Sequence, residues 1–497
     1  MWWQWPHWLP LVVLVPLGAG VVTPAISRKS TKAAWVWAAT AVAATVGASL
    51  PLVIRVAQEG PFSYTFGGWT PPYGIEFRFD EVSAFAFVVA FLGALAIVFS
   101  LRYAPHALDE ARIPYYYALL LLNLAGLIGF SVTGDMFNLY VFMEIISLSG
   151  YALVAISGER IAEMAAFKYL VLGAVSSLFV LFGIGMLYGV TGTLNIADAT
   201  QRLSVVADTV PVAVAVGSIV LGFMVKAALF PLHVWLPDAH AIAPSPVSAV
   251  LSGLVVKVGL VGMLRLYQVV YASRAVDLVT LNRLLTWLGA ASIVMGAFFA
   301  MFQDDIKMML AYSTISNVGY IVMGFGLASR YALVGAAVHI FNHALIKSAL
   351  FLSAGAIIYQ TGYRRLSDLR GVGRGMPLTG AALAVGAVSI VGIPPTAGFL
   401  CKWYIALGAF EAKNAAFGFA LVFGALFIFV YYIRMLNAFY FQEPVRAEVT
   451  HVGDPPLSML VPMWVLAALC LAMGLAGKVP LTFIEPVVTR MLAPTGG

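Results

Sequence analysis

Charged residues are scarce in this chain, at only 10% of its 497 residues. Soluble domains carry about 25% charged residues, so a soluble protein of this size would lack the polar surface it needs. Hydrophobic residues instead make up 62% of the sequence, and the mean hydropathy is +0.94. Apolar runs of about 20 residues, each long enough to cross a bilayer, follow one another throughout. This pattern predicts one bundle of transmembrane helices.

Cysteine is almost absent, and Cys401 and Cys470 both lie in apolar surroundings. A disulfide framework and a cysteine metal site are therefore not expected. The chain also lacks a phosphate loop and a dinucleotide fingerprint, so we expect no nucleotide, flavin, haem or iron–sulfur cofactor. The net charge of +6 is typical of basic cytoplasmic loops and is no argument for nucleic acid.

Hydropathy and helix breakers predict an all-α membrane protein with about 14 transmembrane helices. The expected spans are 9–26, 33–56, 81–101, 115–132, 136–157, 164–189, 211–230, 245–271, 280–302, 306–328, 332–359, 377–411, 415–440 and 457–476. Short helices are expected over 232–241 and 480–493. The first span is predicted to be a permanent helix rather than a signal peptide, because it begins at an interfacial aromatic cluster formed by Trp2, Trp3, Trp5 and Trp8. Lys and Arg, including Arg28 and Lys29, favour an external N-terminus.

A faint internal repeat divides the chain. The segment 185–192 reads GMLYGVTG and the segment 355–362 reads GAIIYQTG. Each lies at the end of a long span, and the next span in each case is interrupted by proline. The odd number of spans between the two segments predicts two inverted five-helix repeats, each with a broken helix, an arrangement that marks transport sites. We expect N-terminal helices 1–3 over 1–113, the two repeats over 114–277 (helices 4–8) and 278–440 (helices 9–13), and helix 14 with a tail over 441–497.

Ionisable residues recur within the predicted spans, where each costs roughly 2.5–3.5 kcal/mol even on the lenient insertion scale. They are Glu144, Lys168, Lys226, Lys257, His339, His343, Lys347 and Lys402. The two histidines and Lys347 are spaced every four residues and share one helix face. Pro231, Pro394 and Pro395 mark the broken helices.

These residue types suit proton transfer. Burial disfavours a charged lysine or carboxylate, whereas a Glu–Lys pair holds both charged, so separating the pair releases a proton. Histidines between such groups can relay it. Structural explanations compete: a lone ion pair, snorkelling for Lys168 and Lys307, packing for His339, and simple kinks at the prolines. Four charges near mid-membrane, at Glu144, Lys226, Lys257 and Lys402, would be a costly way to pack helices, so transport is favoured.

At these residues the chain resembles the antiporter-like subunits of respiratory complex I, membrane-bound hydrogenases and Mrp cation/proton antiporters. Four segments carry the resemblance: KAALFPLHVWLPDAHAIAPSPVSAVLSG at 226–253, DDIKMMLAYSTISNVGY at 304–320, HIFNHALIKSALFL at 339–352 and GIPPTAGFLCKW at 392–403. The resemblance implies that Glu144 and Lys226 pair in a first half-channel. It also implies that Lys257, His339 and His343 connect toward Lys402, with Lys347 in the relay. Asn317 is given no relay role.

The segment TGDMFNLYVFMEI at 133–145 is most similar to the D-type protein of Mrp antiporters. The resemblance implies a proton-translocating subunit of a multisubunit Na⁺(cation)/H⁺ antiporter in a bacterial or archaeal inner membrane. Its partners would be other membrane subunits, protons and Na⁺ as transported ions, and the lipid bilayer. Three alternatives remain: a proton-pumping subunit of complex I or a hydrogenase, a non-transporting scaffold, and a self-contained solute symporter. Gene neighbours would separate the first alternative from the Mrp interpretation.

Overall fold

Nearly every apolar run of the sequence forms a helix in the structure, a computed structural model that describes residues 7–27, 30–206 and 209–493. Helices predominate because lipid offers backbone groups no hydrogen-bond partner, so each segment must satisfy its own. The helices are α1 (Trp8–Ile26), α2 (Thr31–Glu59), α3 (Phe85–Ala107), α4 (Ile113–Val132), α5 (Met136–Ala155), α6 (Arg160–Thr191), α7 (Ile196–Val205), α8 (Val210–Lys226), α9 (Trp235–Ile242), α10 (Ser245–Val250), α11 (Val256–Ser273), α12 (Leu278–Met301), α13 (Ile306–Leu327), α14 (Arg330–Thr361), α15 (Val372–Gly375), α16 (Pro377–Val391), α17 (Ala397–Glu411), α18 (Ala415–Tyr440), α19 (Leu457–Leu475) and α20 (Lys478–Leu492).

Within the described ranges, 12 helical segments are long and apolar enough to cross a membrane, and α8 and α16 are shorter apolar helices. The predicted multi-pass, all-α membrane fold is thereby confirmed, while the number of 14 spans stays a prediction. Trp2, Trp3 and Trp5 of the proposed aromatic anchor, and the loop residues Arg28 and Lys29, lie outside the described residues.

A short β-hairpin was not predicted. Strands β1 (Phe62–Thr65) and β2 (Glu76–Phe79) pair antiparallel, with Phe62 opposite Phe79. The backbone N–H of Gly134 donates to the carbonyl of Glu76, so the hairpin packs against the link between α4 and α5. We call this side of the bundle the hairpin end. The predicted orientation places it outside the cell.

Two consecutive acidic residues tie the hairpin end to distant helices. Asp80 forms a salt bridge with Arg265 of α11. Its neighbour Glu81 accepts a hydrogen bond of 2.5 Å from Arg490 of α20. The tail helix expected over 480–493 is thus present as α20, and it is fastened to the turn that precedes α3.

Matching local features occur in the two halves. Asp135 caps the N-terminus of α5 and forms a β-bridge with Asn195, while Asp305 caps α13 and forms a β-bridge with Arg365. The helices that follow, α6 and α14, each have 32 residues and end at a glycine in the left-handed conformation. These features agree with the proposed repeats, whose boundaries stay a prediction.

The helices expected to break do so, with different limits from those predicted. The span 211–230 ends as a helix at Lys226, because the backbone of Ala228 turns to φ +53°, ahead of Pro231. The stretch 377–411 divides into α16 and α17 around Pro394 and Pro395. The span 245–271 also carries an unpredicted π-helical turn, Leu251–Val255, between α10 and α11.

Candidate functional site

Lys226 lies at the last residue of α8, with its side chain buried. Because α8 ends at this residue, the ammonium group lies at the helix C-terminus, where the helix dipole favours a cation. Its Nζ donates a hydrogen bond of 2.5 Å to the hydroxyl of Ser147 on α5 and lies 5.9 Å from the ring centres of Tyr151 and Tyr169. Glu144, one turn before Ser147, acts on Lys226 electrostatically.

The predicted direct contact between Glu144 and Lys226 is not formed in this conformation. Among the described residues, no N···O distance within 4 Å joins the two groups, because the Lys226 ammonium binds Ser147 instead. The buried Oε1 of Glu144 also has no hydrogen-bond partner there. Both charged groups are therefore available to rearrange relative to each other.

Lys257 lies just after the π-helical turn of the α10–α11 segment and has an exposed fraction of 0%. Its Nζ donates a hydrogen bond of 2.5 Å to the carbonyl oxygen of Ser252, which belongs to that turn. The hydroxyl of Ser252 in turn lies 2.9 Å from that of Thr314 on α13. π-Helical turns are frequent at functional sites because they reposition backbone acceptors.

Lys402 occupies the corresponding place beside the second break. Its Nζ donates hydrogen bonds of 2.6 Å to the carbonyl of Ile390 and 3.2 Å to that of Val391, the last two residues of α16. The same Nζ lies 4.7 Å from the ring centre of Tyr320. The final carbonyls of a helix have no partner within it, so the break supplies the acceptors that hold this ammonium.

The predicted histidine face of α14 is fully buried, with exposed fractions of 0% for His339, His343 and Lys347. The two imidazole rings lie 5.5 Å apart, centre to centre. Neither ring nitrogen of His343 has a hydrogen-bond partner among the described residues. Lys347 donates to the carbonyl of Leu310 at 2.8 Å and to the hydroxyl of Ser313.

These groups form one electrostatic cluster. The positive charges of Lys257, Lys347 and Lys402 all act on His343, as does His339. The structure therefore brings Lys257, from the first predicted repeat, together with the predicted residues of the second. Lys168 lies apart from them: its exposed side chain forms a salt bridge of 2.6 Å with Asp238 of α9.

Several polar residues of this cluster were missed in the sequence. Asn317, which was given no role, lies 3.3 Å from His339 Nε2 through its Oδ1. Ser147 and Ser313 accept hydrogen bonds from Lys226 and Lys347. The i, i+4 spacing of Ser313 and Asn317 on α13 is the sequence signal that would have indicated a polar face toward α14.

His240 and Lys307 are two further buried groups beside the first break. His240 Nδ1 lies 2.9 Å from the carbonyl of Leu236, so this nitrogen must carry the proton, and Nε2 has no partner among the described residues. Lys307 donates a hydrogen bond of 2.5 Å to the carbonyl of Ala243, at the end of α9. Both lie in the motifs at 226–253 and 304–320. For His240, the nearby break at Pro231 was the available signal, whereas Lys307 reaches the break only through the fold.

In the part of the chain that the structure describes, no group of three or more His, Cys, Asp or Glu side chains is arranged to hold a metal ion. Lysine ammonium groups and imidazoles dominate the cluster, and these exchange protons rather than coordinate alkali cations.

The sequence of this chain matches a known protein family. Residues 133–428 match the family described as NADH:quinone oxidoreductase/Mrp antiporter, TM. The chain is 39% identical to the N subunit of the NADH-quinone oxidoreductase of Desulforudis audaxviator over 502 residues, covering 97% of each protein. It is 29% identical to the D-type protein of the Na(+)/H(+) antiporter of Bacillus subtilis, again over 97% of each.

Two solved structures share the whole fold. A chain of the membrane-bound sulfane sulfur reductase, an archaeal respiratory membrane complex, superposes with a TM-score of 0.90 at 29% identity, covering 97% of each chain. A chain of the Mrp complex from Dietzia sp. DQ12-45-1b gives a TM-score of 0.87 at 26% identity, covering 99% of this chain and 98% of the other. The resemblance to the Mrp D-type, antiporter-like subunit is confirmed. This chain belongs to the NADH:quinone oxidoreductase/Mrp antiporter transmembrane family.

Proposed function

We propose that this chain is the proton-translocating subunit of a multisubunit Mrp-type cation/proton antiporter. The observation that carries the proposal is a set of lysines, buried apart from the half-buried Lys402, whose ammonium groups are held by carbonyls and hydroxyls inside the bundle. Lys257 and Lys402 bind backbone carbonyls at a π-helical turn and at a helix break. Irregular backbone at membrane depth is tolerated where it lines a cavity or is buried in protein, which is the arrangement that transporters use.

The proposed route begins at Glu144 and Lys226. When the Lys226 ammonium approaches Glu144, both groups hold their charges; when it returns to Ser147, as here, its proton is more easily released. The proton then passes by way of Lys257 and the histidine face of α14 to Lys402. His240, on which Lys257, Lys307 and Lys347 act electrostatically and whose Nε2 has no hydrogen-bond partner among the described residues, extends this route beside the first break.

The principal test is Glu144→Ala in the complete complex, assayed as cation-dependent proton exchange in everted membrane vesicles. We expect activity near background with the complex assembled, because Lys226 then has no carboxylate to hold its charge. Glu163→Gln, at an exposed carboxylate on α6, is the matched control and should transport normally. Normal exchange by an assembled Glu144→Ala complex would contradict the proposal and favour a scaffold.

A second candidate is a proton-pumping subunit of a redox-driven complex. The 39% identity to a protein named as an NADH-quinone oxidoreductase subunit favours it specifically. The two candidates share the proton route and differ in their partners. Purification from native membranes distinguishes them: small antiporter subunits should copurify in the first case, and quinone, flavin or nickel–iron subunits in the second. Transport by the chain expressed alone would instead favour a symporter.

A further inference from the structure

A cavity of about 330 Å³ opens at the hairpin end of the bundle. Its walls come from β2, the link between α4 and α5, helix α7 and helix α11, and include Glu76, Thr133, Gln201 and Gln268. Charged and amide side chains line it together with apolar residues such as Ile196 and Val269. If the hairpin end is external, as the sequence predicts, the cavity faces the outside.

Arg265 lies at the inner wall of this cavity, where it is held from several sides. Its guanidinium contacts both carboxylate oxygens of Asp80, one of them at 2.8 Å, and donates to Ser83 Oγ at 2.8 Å and to the carbonyl of Ser131 at 3.3 Å. The side chains of Arg265 and Asp80 are only 12% and 9% exposed. The arginine is therefore a fixed positive charge between α4, α11 and the turn before α3.

Asp80 stays ionised across the physiological range. Burial by itself would raise the pKa of its carboxyl group, but the charge of Arg265 and hydrogen bonds from Arg265 and Ser83 outweigh this and lower the pKa to about 2. A carboxylate with a lowered pKa stabilises the fold above its unfolded-state pKa, and this is lost only as the pH falls toward 2. The pair therefore persists at any pH used to assay transport.

A small apolar crevice adjoins the cavity. It shares Arg265 with the cavity and is lined by Leu139, Phe223 and Gly262, among others. Phe223 lies one turn before Lys226 on α8, and Arg265 lies eight residues after Lys257, or about 12 Å along α11. Along these two helices, Phe223 and Arg265 therefore lie nearer the hairpin end than Lys226 and Lys257 do.

We propose that Arg265, fixed by Asp80, is the electrostatic seal that keeps protons in the hairpin-end cavity from reaching Glu144 and Lys226. An immobile guanidinium repels protons and cations in a narrow pore, as positively charged groups do in other selective channels. Arginine suits this task because it does not give up its own proton. The inference rests on the proposed function, since it assumes that Glu144 and Lys226 lie on the proton route.

The alternative is that the pair only braces the helices, and a passive-leak assay separates the two. The complete complex is reconstituted into liposomes, a pH gradient is imposed without exchangeable cation, and an enclosed pH-sensitive dye follows its collapse. The main variant is the double change Asp80→Asn with Arg265→Gln, which removes both charges and leaves no unpaired buried charge. We expect the leak to rise about tenfold, equivalent to about 1.4 kcal/mol of barrier.

Two single changes are the controls. Arg265→Lys keeps the positive charge and should leak far less than the double variant, although it loses the two-pronged contact. Arg202→Gln removes an exposed arginine of α7 at the same end, paired with Asp198, and should stay as tight as the parent. The proposal would be overturned if the double variant leaked protons no faster than the parent. It would also be overturned if Arg265→Lys leaked as fast as the double variant.

Adding Glu144→Gln to the double variant tests the route. If the leak passes the layer of Glu144 and Lys226, the triple variant should be tight again; a persisting leak would refute the inference. That failure is distinguishable from failure of the proposed function, which is measured separately as exchange by Glu144→Ala.

Access to the cavity is tested with Gln201→Cys and a membrane-impermeant thiol reagent. Cys401 and Cys470 are fully buried, so the background should be low. Labelling should occur in right-side-out vesicles and not in everted ones. Labelling from the cytoplasmic side alone would contradict an outward cavity and, with it, the inference.

Discussion

The ammonium group of Lys402 donates a hydrogen bond of 2.6 Å to the carbonyl oxygen of Ile390, the penultimate residue of α16. The negative end of a helix dipole favours a cation at this place. The helix break therefore both frees the acceptor and stabilises the charged form of the lysine. The two carbonyls of Ile390 and Val391 engage two of the three N–H groups of the ammonium, which leaves the third for transfer to another acceptor.

Lys402→Gln should abolish exchange while the complex still assembles. Glutamine keeps a hydrogen-bond donor, but its amide group does not bind and release a proton as lysine does. Lys402→Arg should also fail, since arginine holds its proton at working pH. Proton exchange in vesicles is the measurement, and Lys478→Gln, on α20 and away from the buried cluster, is the control. A fully active arginine variant would mean that this position requires charge alone.

Ser147→Ala should slow transport without abolishing it. The hydroxyl accepts the hydrogen bond of Lys226, and hydrogen bonds to charged groups contribute about 1.5–3 kcal/mol. Without it, Lys226 should remain with Glu144 for longer, so the maximal rate should fall about tenfold, the lower end of that range. Ser218→Ala, whose hydroxyl bonds to its own helix at Val214, should retain the parent rate. Equal rates for the two variants would exclude Ser147 from the cycle.

His343→Gln tests relay against packing. Glutamine has a similar reach but does not titrate near neutral pH. Neither nitrogen of His343 makes a hydrogen bond within the described part of the chain, so the change should not disturb folding. We expect a partial loss of rate and an altered pH profile between about pH 6 and 9, because glutamine cannot accept and release a proton as an imidazole does. The exposed His451→Gln should match the parent, and an unchanged profile for His343→Gln would assign that residue to packing.

Lys168→Gln should have little effect on transport or on melting temperature. Lys168 pairs with Asp238, but more than half of its side chain is exposed, and exposed ion pairs contribute little to stability. Exchange should stay within about twofold of the parent. Loss of exchange comparable with that of Lys402→Gln would place Lys168 on the proton route after all.

The sequence predicted the helices well because the length of an apolar run and the helix breakers that bound it are local signals. It also predicted the shared face of His339, His343 and Lys347, which follows from helical periodicity alone. The early end of α8 at Lys226 was missed. Pro231 gives the visible signal, whereas the chain leaves the helix before it, at Ala228.

Side-chain contacts between different helices could not be predicted from the sequence. Ser147 is a common residue with no local sign that it faces a lysine from another helix, and the spacing of Ser313 and Asn317 indicates a polar face without showing that His339 is the partner. The Asp80–Arg265 pair joins residues far apart in the chain, and its site has no motif. Such contacts depend on tertiary packing, which periodicity along one helix does not contain.

Because Arg490 of α20 forms a salt bridge with Glu81, the C-terminal helix should affect passive proton leakage through the protein. Glu81 is 10% exposed and adjoins Asp80, so a protease cut ahead of α20 would leave a nearly buried carboxylate without Arg490. The turn carrying both acidic residues would then loosen, and Asp80 would hold Arg265 less firmly. We expect clipped preparations to dissipate a pH gradient faster than intact ones. Preparations with fusion tags placed after residue 493 therefore require a leak measurement before any transport rate from them is interpreted.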